Sequence, residues 1–482
     1  MTTKLLLCSL ASTLVGCSAG DAGSDSGDSG GKPPVAEAPA PGSGIGAPGA
    51  GDPYYPNDGN GGYNAAGYRV SVTYDPERKH LTGISTMTAK ATQTLRRFNL
   101  DLRELKVTSV EVEKAEAKFS RKGSELRITP AKRLAEGDEF TVRVRYAGKP
   151  GKQTDTGGVG SLGWLSTGTG AAYALGEPHS ASFWFPVNET PRDTATFQLA
   201  ARVPDGWTAV SIGRQGKTTS AKGWTTFRWA ERTPVASYLT TIAVDKFDLD
   251  RSKLSNGVPV VDAFAPGAEG KKQIAGRLDE VVRFLSSKFG PYPQSSAGGI
   301  YMAANIPFAL ETNGRPTYAS WAELPVVVHE YAHQWFGNSV TLRSWSDICL
   351  NECLASYAEW LWSEEKEGAD LDRQYRSAVE SAGQRLWSPK LHRMGSGKEF
   401  DGVYDKGALA MHALRAQVGD ATFGKILKGW AAAHRHGHAS WPQFERHVEK
   451  VSGKNLDGFF DAWFRGTDEP ADKYLYPGRL GR

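Results

Sequence analysis

Apolar and polar positions alternate with period two along much of the first half of the chain and shift to a helical period in the second. Tyr68, Val70, Val72 and Tyr74 occupy every second position, the spacing of a strand with one buried face. The pattern returns at Leu105, Val107, Val110 and Val112, at Leu126 and Ile128, at Phe140, Val142, Val144 and Tyr146, at Ala195, Phe197 and Leu199, and at Leu239, Ile242 and Val244. Turn signals such as Asp75-Pro76, Gly123-Ser124 and Pro204-Asp205-Gly206 separate these runs. Many short strands with no helical period between them predict an antiparallel β domain over residues 52–250. From Lys272 to Phe289 the apolar residues Ile274, Leu278, Val281, Val282, Phe284 and Leu285 follow a helix, which Gly290-Pro291 stops. Further helical stretches cover Asn351–Trp362, Phe444–Val448 and Leu456–Trp463, so residues 251–482 read as a second, mainly α domain.

The front of the chain breaks both patterns. One charge, Lys4, precedes a short apolar run from Leu5 to Val15, too short to span a bilayer and suited to the core of a signal peptide over residues 1–16. The end of the run, Leu14-Val15-Gly16-Cys17, resembles a bacterial lipobox. That resemblance implies a lipidated Cys17 and an exported protein, anchored to the bacterial membrane surface or secreted. Residues 17–51, rich in Gly, Ser, Asp, Ala and Pro, read as a flexible tether. No later apolar run approaches the length of a membrane span, so the lipid is the expected membrane contact. The 482 residues give a prior of about three domains, which the leader and tether reduce to two folded ones. A balance of 57 Lys and Arg against 53 Asp and Glu argues against a nucleic-acid binder. Four cysteines are too few for a disulfide framework.

Chemistry enters at Leu324–Asn338, which contains His329-Glu330-Tyr331-Ala332-His333. Two histidines four apart on a helix share a face and can reach one ion, and the intervening Glu330 can take a proton from an activated water. Three fixed residues recur by chance about once in 8,000 positions, so the motif needs a third ligand to be persuasive. Glu352, separated from His333 by 18 intervening residues and on the next helical stretch, can supply it.

With Glu352 in its Asn351-Glu352-x-x-Ala355-x-Tyr357 context, the chain resembles the gluzincin aminopeptidases of the aminopeptidase N and leukotriene-hydrolase family. The resemblance runs from about Asp52 to the end and implies a β domain followed by a thermolysin-like catalytic domain. It implies one zinc per chain held by His329, His333 and Glu352, with Glu330 as general base. Tyr404, in Tyr404-Asp405-Lys406-Gly407, matches a family tyrosine that stabilises the oxyanion. Glu311 stands where the family's exopeptidase signature has its glutamate, although the Gly, Met and Asn around it are replaced. It would pair with the substrate's α-ammonium. Glu177 falls in a segment that reaches the family's site and is a second candidate amine contact; Leu175 stands where that segment often has Gln.

Other residues read more plainly. Cys349 and Cys353 flank Glu352; four apart on one helix they are too distant to bond, so they read as small core residues, with a local disulfide as the alternative if Cys349 precedes the helix. Asp347 is a candidate to orient a ligand histidine. His434, His436 and His438 read as a surface loop rather than a second metal site. The expected activity is removal of N-terminal residues from peptides with a free N-terminus by a monomer. An endopeptidase or oligopeptidase with an open cleft is the alternative, because the chain leaves no room for the family's closing helical domain. A non-catalytic peptide-binding lipoprotein is the third reading.

Overall fold

The computed structural model describes residues 39–40, 42–154 and 160–481. The leader, Cys17 and most of the tether lie outside the described residues. The last ten residues assigned to the tether are folded. Gly46 N–H donates to Arg97 O at 2.8 Å, and Ala50 N–H donates to Asp58 O at 3.0 Å. A Cβ at Gly46 would lie 2.5 Å from Gly61 O. Glycine here allows close approach of two backbones, a use that composition alone reads as flexibility.

The alternating segments pair as expected. Tyr63–Asp75 lies between His80–Ala91 and Thr194–Pro204 in a nine-stranded sheet that also contains Glu139–Gly148, Lys106–Val112 and Trp224–Ala236. Along Tyr63–Asp75 the in-facing Tyr68, Val70, Val72 and Tyr74 are all buried. The sheet is antiparallel except where Tyr63–Asp75 runs parallel to Thr194–Pro204. Strands so far apart in sequence are joined by a long connection, which leaves either direction open to them. A second, five-stranded sheet carries Ala172–Leu175 and Ile242–Asp245, and the former ends two residues short of Glu177.

The second half begins with a four-stranded sheet, Asp248–Lys253, Pro259–Phe264, Ile300–Tyr301 and Thr317–Tyr318. The helix foreseen from Lys272 is broken into Lys272–Ala275 and Leu278–Phe289, and Gly290 at φ 100° ends the second piece. Helices Leu324–Ala332, Glu352–Glu367 and Asp405–Val418 pack together and bring the motif residues to one place. Helix Trp441–Ser452 opens with a reciprocal Ser440–Gln443 cap and buries Trp441, Phe444 and Val448. Among the described residues no helix is long and apolar enough to cross a membrane.

Candidate active site

Pro325 sits in the first turn of helix Leu324–Ala332, where its missing N–H costs nothing. The helix ends one residue before His333, which keeps helical backbone angles and donates its N–H to His329 O at 3.3 Å. The two imidazoles therefore still share a face. Gly337 at φ 120° then turns the chain against Asn351, a position where a Cβ would be 3.1 Å from the Asn351 amide. Glu352 is the first residue of its helix.

Glu352 Oε2 lies 3.2 Å from His329 Nε2 and 3.5 Å from His333 Nε2, and the three donor atoms fall within 4.8 Å of one another. Ligands about 2.0–2.1 Å from a tetrahedral zinc stand about 3.3–3.4 Å apart, so the set fits that ion. The outer nitrogens are already engaged: His329 Nδ1 is 2.8 Å from Glu359 Oε1, and His333 Nδ1 is 3.1 Å from Phe336 O. Both partners turn Nε2 toward the shared centre. Asp347 does not take that role. It falls in the 3-10 turn Trp345–Leu350, 3.3 Å from His392 Nε2, while the outer nitrogens of His329 and His333 are taken by Glu359 and Phe336.

The centre is rich in negative charge. Although burial opposes it, Glu352 holds the His333 pKa up at about 8. Burial likewise opposes a charged His329, and its bonds to Glu352 and Glu359 outweigh it. Burial raises the Glu352 carboxyl, but His333 and His329 bring it down to about 2. Burial pushes Glu330 up to about 8, offset in part by the two histidines. A dication held by the three groups would answer the same negative charge with both imidazoles neutral. Glu359→Gln is expected to weaken zinc binding about 10- to 100-fold, read by chelator competition; unchanged affinity would count against its orienting role.

Three further residues named from sequence converge here. Tyr404 is 46% exposed, with its ring centroid 6.1 Å from that of His329. Its pKa is raised by burial and then by Glu352, Glu177, Glu330 and Glu311. So open a residue keeps much of its hydration, and the surrounding carboxylates are the lasting cause. Lys406 fixes the start of its helix: its ammonium is buried and donates to the carbonyls of Trp387, Pro389 and Gly466 at 2.7–2.9 Å. Gly407 lets that helix lie against Cys353, where a Cβ would be 2.6 Å from Sγ. Glu311 is 2% exposed, and its carbonyl accepts from the side-chain amides of Asn338 at 2.8 Å and Gln334 at 3.3 Å. Glu177 is 7% exposed and follows Gly176, at φ 146°. Glu311 Oε1 and Glu177 Oε1 are both buried without a hydrogen-bond partner among the described residues.

The chain matches the Peptidase M1 N-terminal domain over residues 64–239 and the Peptidase family M1 domain over residues 299–463. An M1 zinc metallopeptidase of known structure from Deinococcus radiodurans is 30% identical, with a TM-score of 0.81 over 88% of this chain and 98% of that one. The chain belongs to the peptidase M1 family. A mutant of an M1 zinc metallopeptidase from Deinococcus radiodurans has been solved bound to a Tyr-Ser-Ala substrate; it is 30% identical, with a TM-score of 0.81, covering 88% of this chain and 99% of that one. Aminopeptidase N of Lactococcus lactis subsp. lactis is 28% identical over 61% of this chain and 38% of its own. This M1 chain spans 36% to 50% of the length of eight curated relatives that it matches, each of them named as an aminopeptidase.

Two other expectations are settled by local backbone. Cys349 and Cys353 are joined as a disulfide, not separate core residues. Cys349 lies in the 3-10 turn before the helix, which brings the two Cα atoms to 4.7 Å, within bonding range. His438 lies in a short strand, Gly437–Ala439, parallel to Val340–Leu342, and His434 packs on Trp430. Among the described residues His329, His333 and Glu352 are the one group that could hold a metal. Glu359 escaped the sequence reading, yet it stands seven residues after Glu352, two helical turns on along the same face.

Proposed function

We propose that the chain is a zinc-dependent aminopeptidase that releases N-terminal residues from peptides. The observation that carries this is a pair of buried carboxylate oxygens, on Glu177 and Glu311 beside the ligand set, that have no partner among the described residues. Two buried carboxylates, each with one oxygen lacking a donor, call for a cation, and a peptide's α-ammonium supplies one. The named activities of the relatives support the same reading.

Zinc held by His329, His333 and Glu352 would polarise the scissile carbonyl and make water a better nucleophile. Glu177 and Glu311 hold the ammonium, so that the first peptide bond lies at the reacting centre. Glu330 accepts a proton from the attacking water as its oxygen bonds to the carbonyl carbon. The Tyr404 hydroxyl donates to the oxyanion that develops. Glu330 then delivers its proton to the leaving nitrogen as the carbon–nitrogen bond breaks. We further propose export and attachment to the bacterial membrane through a lipid on Cys17, supported by Leu5–Val15 and the small residue Gly16, with the enzyme acting as a monomer. Mass spectra of a digested decapeptide should show residues lost singly and in order from the N-terminus. Internal fragments from the earliest time points would overturn the aminopeptidase reading in favour of an endopeptidase.

A further inference from the structure

The alternation at Leu239, Ile242 and Val244 predicts a strand without chemistry, but the strand starts at Ile242 and a 3-10 turn, Ser237–Leu239, precedes it. That turn buries Tyr238 to 1% exposure, with its ring edge-on to Trp345 at 5.3 Å between centroids. Asn313 N–H donates to Leu239 O at 3.1 Å and ties the turn to the loop carrying Glu311. Tyr238 Oη is buried with no hydrogen-bond partner among the described residues. Glu311 is the carboxylate whose charge it feels most and stands as its prospective bonding partner, although the two make no well-formed hydrogen bond here. Glu177 and Glu352 are the other carboxylates it senses.

A buried phenol left unpaired is unfavourable and calls for an explanation. The two carboxylates it senses most, Glu311 and Glu177, each keep one buried oxygen, Oε1, without a partner among the described residues. Three oxygens without donors match the three N–H groups of an ammonium. We infer that Tyr238 is a third amine-recognition residue, its hydroxyl oxygen accepting one N–H of the substrate's α-ammonium while its own proton turns to a Glu311 oxygen. The inference rests on the aminopeptidase reading above and adds a second β-domain residue, beside Glu177, to the amine site. A blocked N-terminus offers one N–H and no charge, so it leaves this corner unsatisfied and is rejected.

The test compares inhibition by an amino-acid amide and by its desamino analogue, using the full chain and Tyr238→Phe. The wild type should prefer the amine, and the variant should lose about 10- to 100-fold in affinity for the amine alone. KM for free-amine peptides should rise in step, with zinc content and melting temperature little changed. A structural role would weaken both inhibitors alike, and that result, or unchanged discrimination, would overturn the inference. If the wild type itself bound the two equally, the aminopeptidase reading would fall with it.

Discussion

Glu330→Gln in the full chain is expected to lower kcat by about 100- to 10,000-fold while leaving zinc bound. Glu330 is adjacent to His329 on the ligand helix, is 6% exposed, and senses His329, His333, Glu311 and Glu352. An amide of the same shape keeps the packing but cannot take the proton of the attacking water or return it to the leaving nitrogen. KM should change little, because substrate binding is assigned to other residues. Steady-state kinetics beside metal analysis checks this. Activity within tenfold of wild type would remove Glu330 from the mechanism.

Glu352→Ala should have an effect of similar size by a different route. Its carboxylate is the one that comes within 3.2 and 3.5 Å of the two imidazoles. Without it two neutral ligands remain, short of the three protein ligands a catalytic zinc needs. Outer partners of zinc ligands are worth about 10- to 100-fold in affinity, and a direct ligand should be worth more. Zinc content should fall from one per chain toward none after dialysis, and turnover should fall with it. A variant that kept one zinc per chain would contradict the assigned ligand set.

What the sequence revealed of this site follows the range of the interactions. His329, Glu330 and His333 are legible because the helix itself sets their geometry. Glu352 follows from spacing and its neighbours. Glu311 and Glu177 lie in separate loops, and only resemblance to a family pointed to them. Tyr238 was hidden, because its meaning depends on a turn that interrupts an apparent strand and on a meeting with Glu311 across two domains. Glu359 was within reach of helical periodicity. The disulfide depended on where one helix begins, since the turn at Trp345–Leu350 brings Cys349 toward Cys353. The strands of the β domain followed from alternation, whereas the parallel pairing of Tyr63–Asp75 with Thr194–Pro204 did not, because periodicity identifies faces and not partners. Residues 42–51 look like tether in composition and become packed backbone in the fold.

The central claim is that a buried amine site beside the zinc ligands selects a free N-terminus. The most direct measurement is kcat/KM of the full chain on one peptide with a free and with an acetylated N-terminus, with products identified by mass. The account predicts release of the first residue from the free peptide and at least about 1,000-fold slower cleavage of the acetylated one, as expected when charged and polar groups are left unpaired. Comparable rates on both, with cuts at internal bonds, would contradict it.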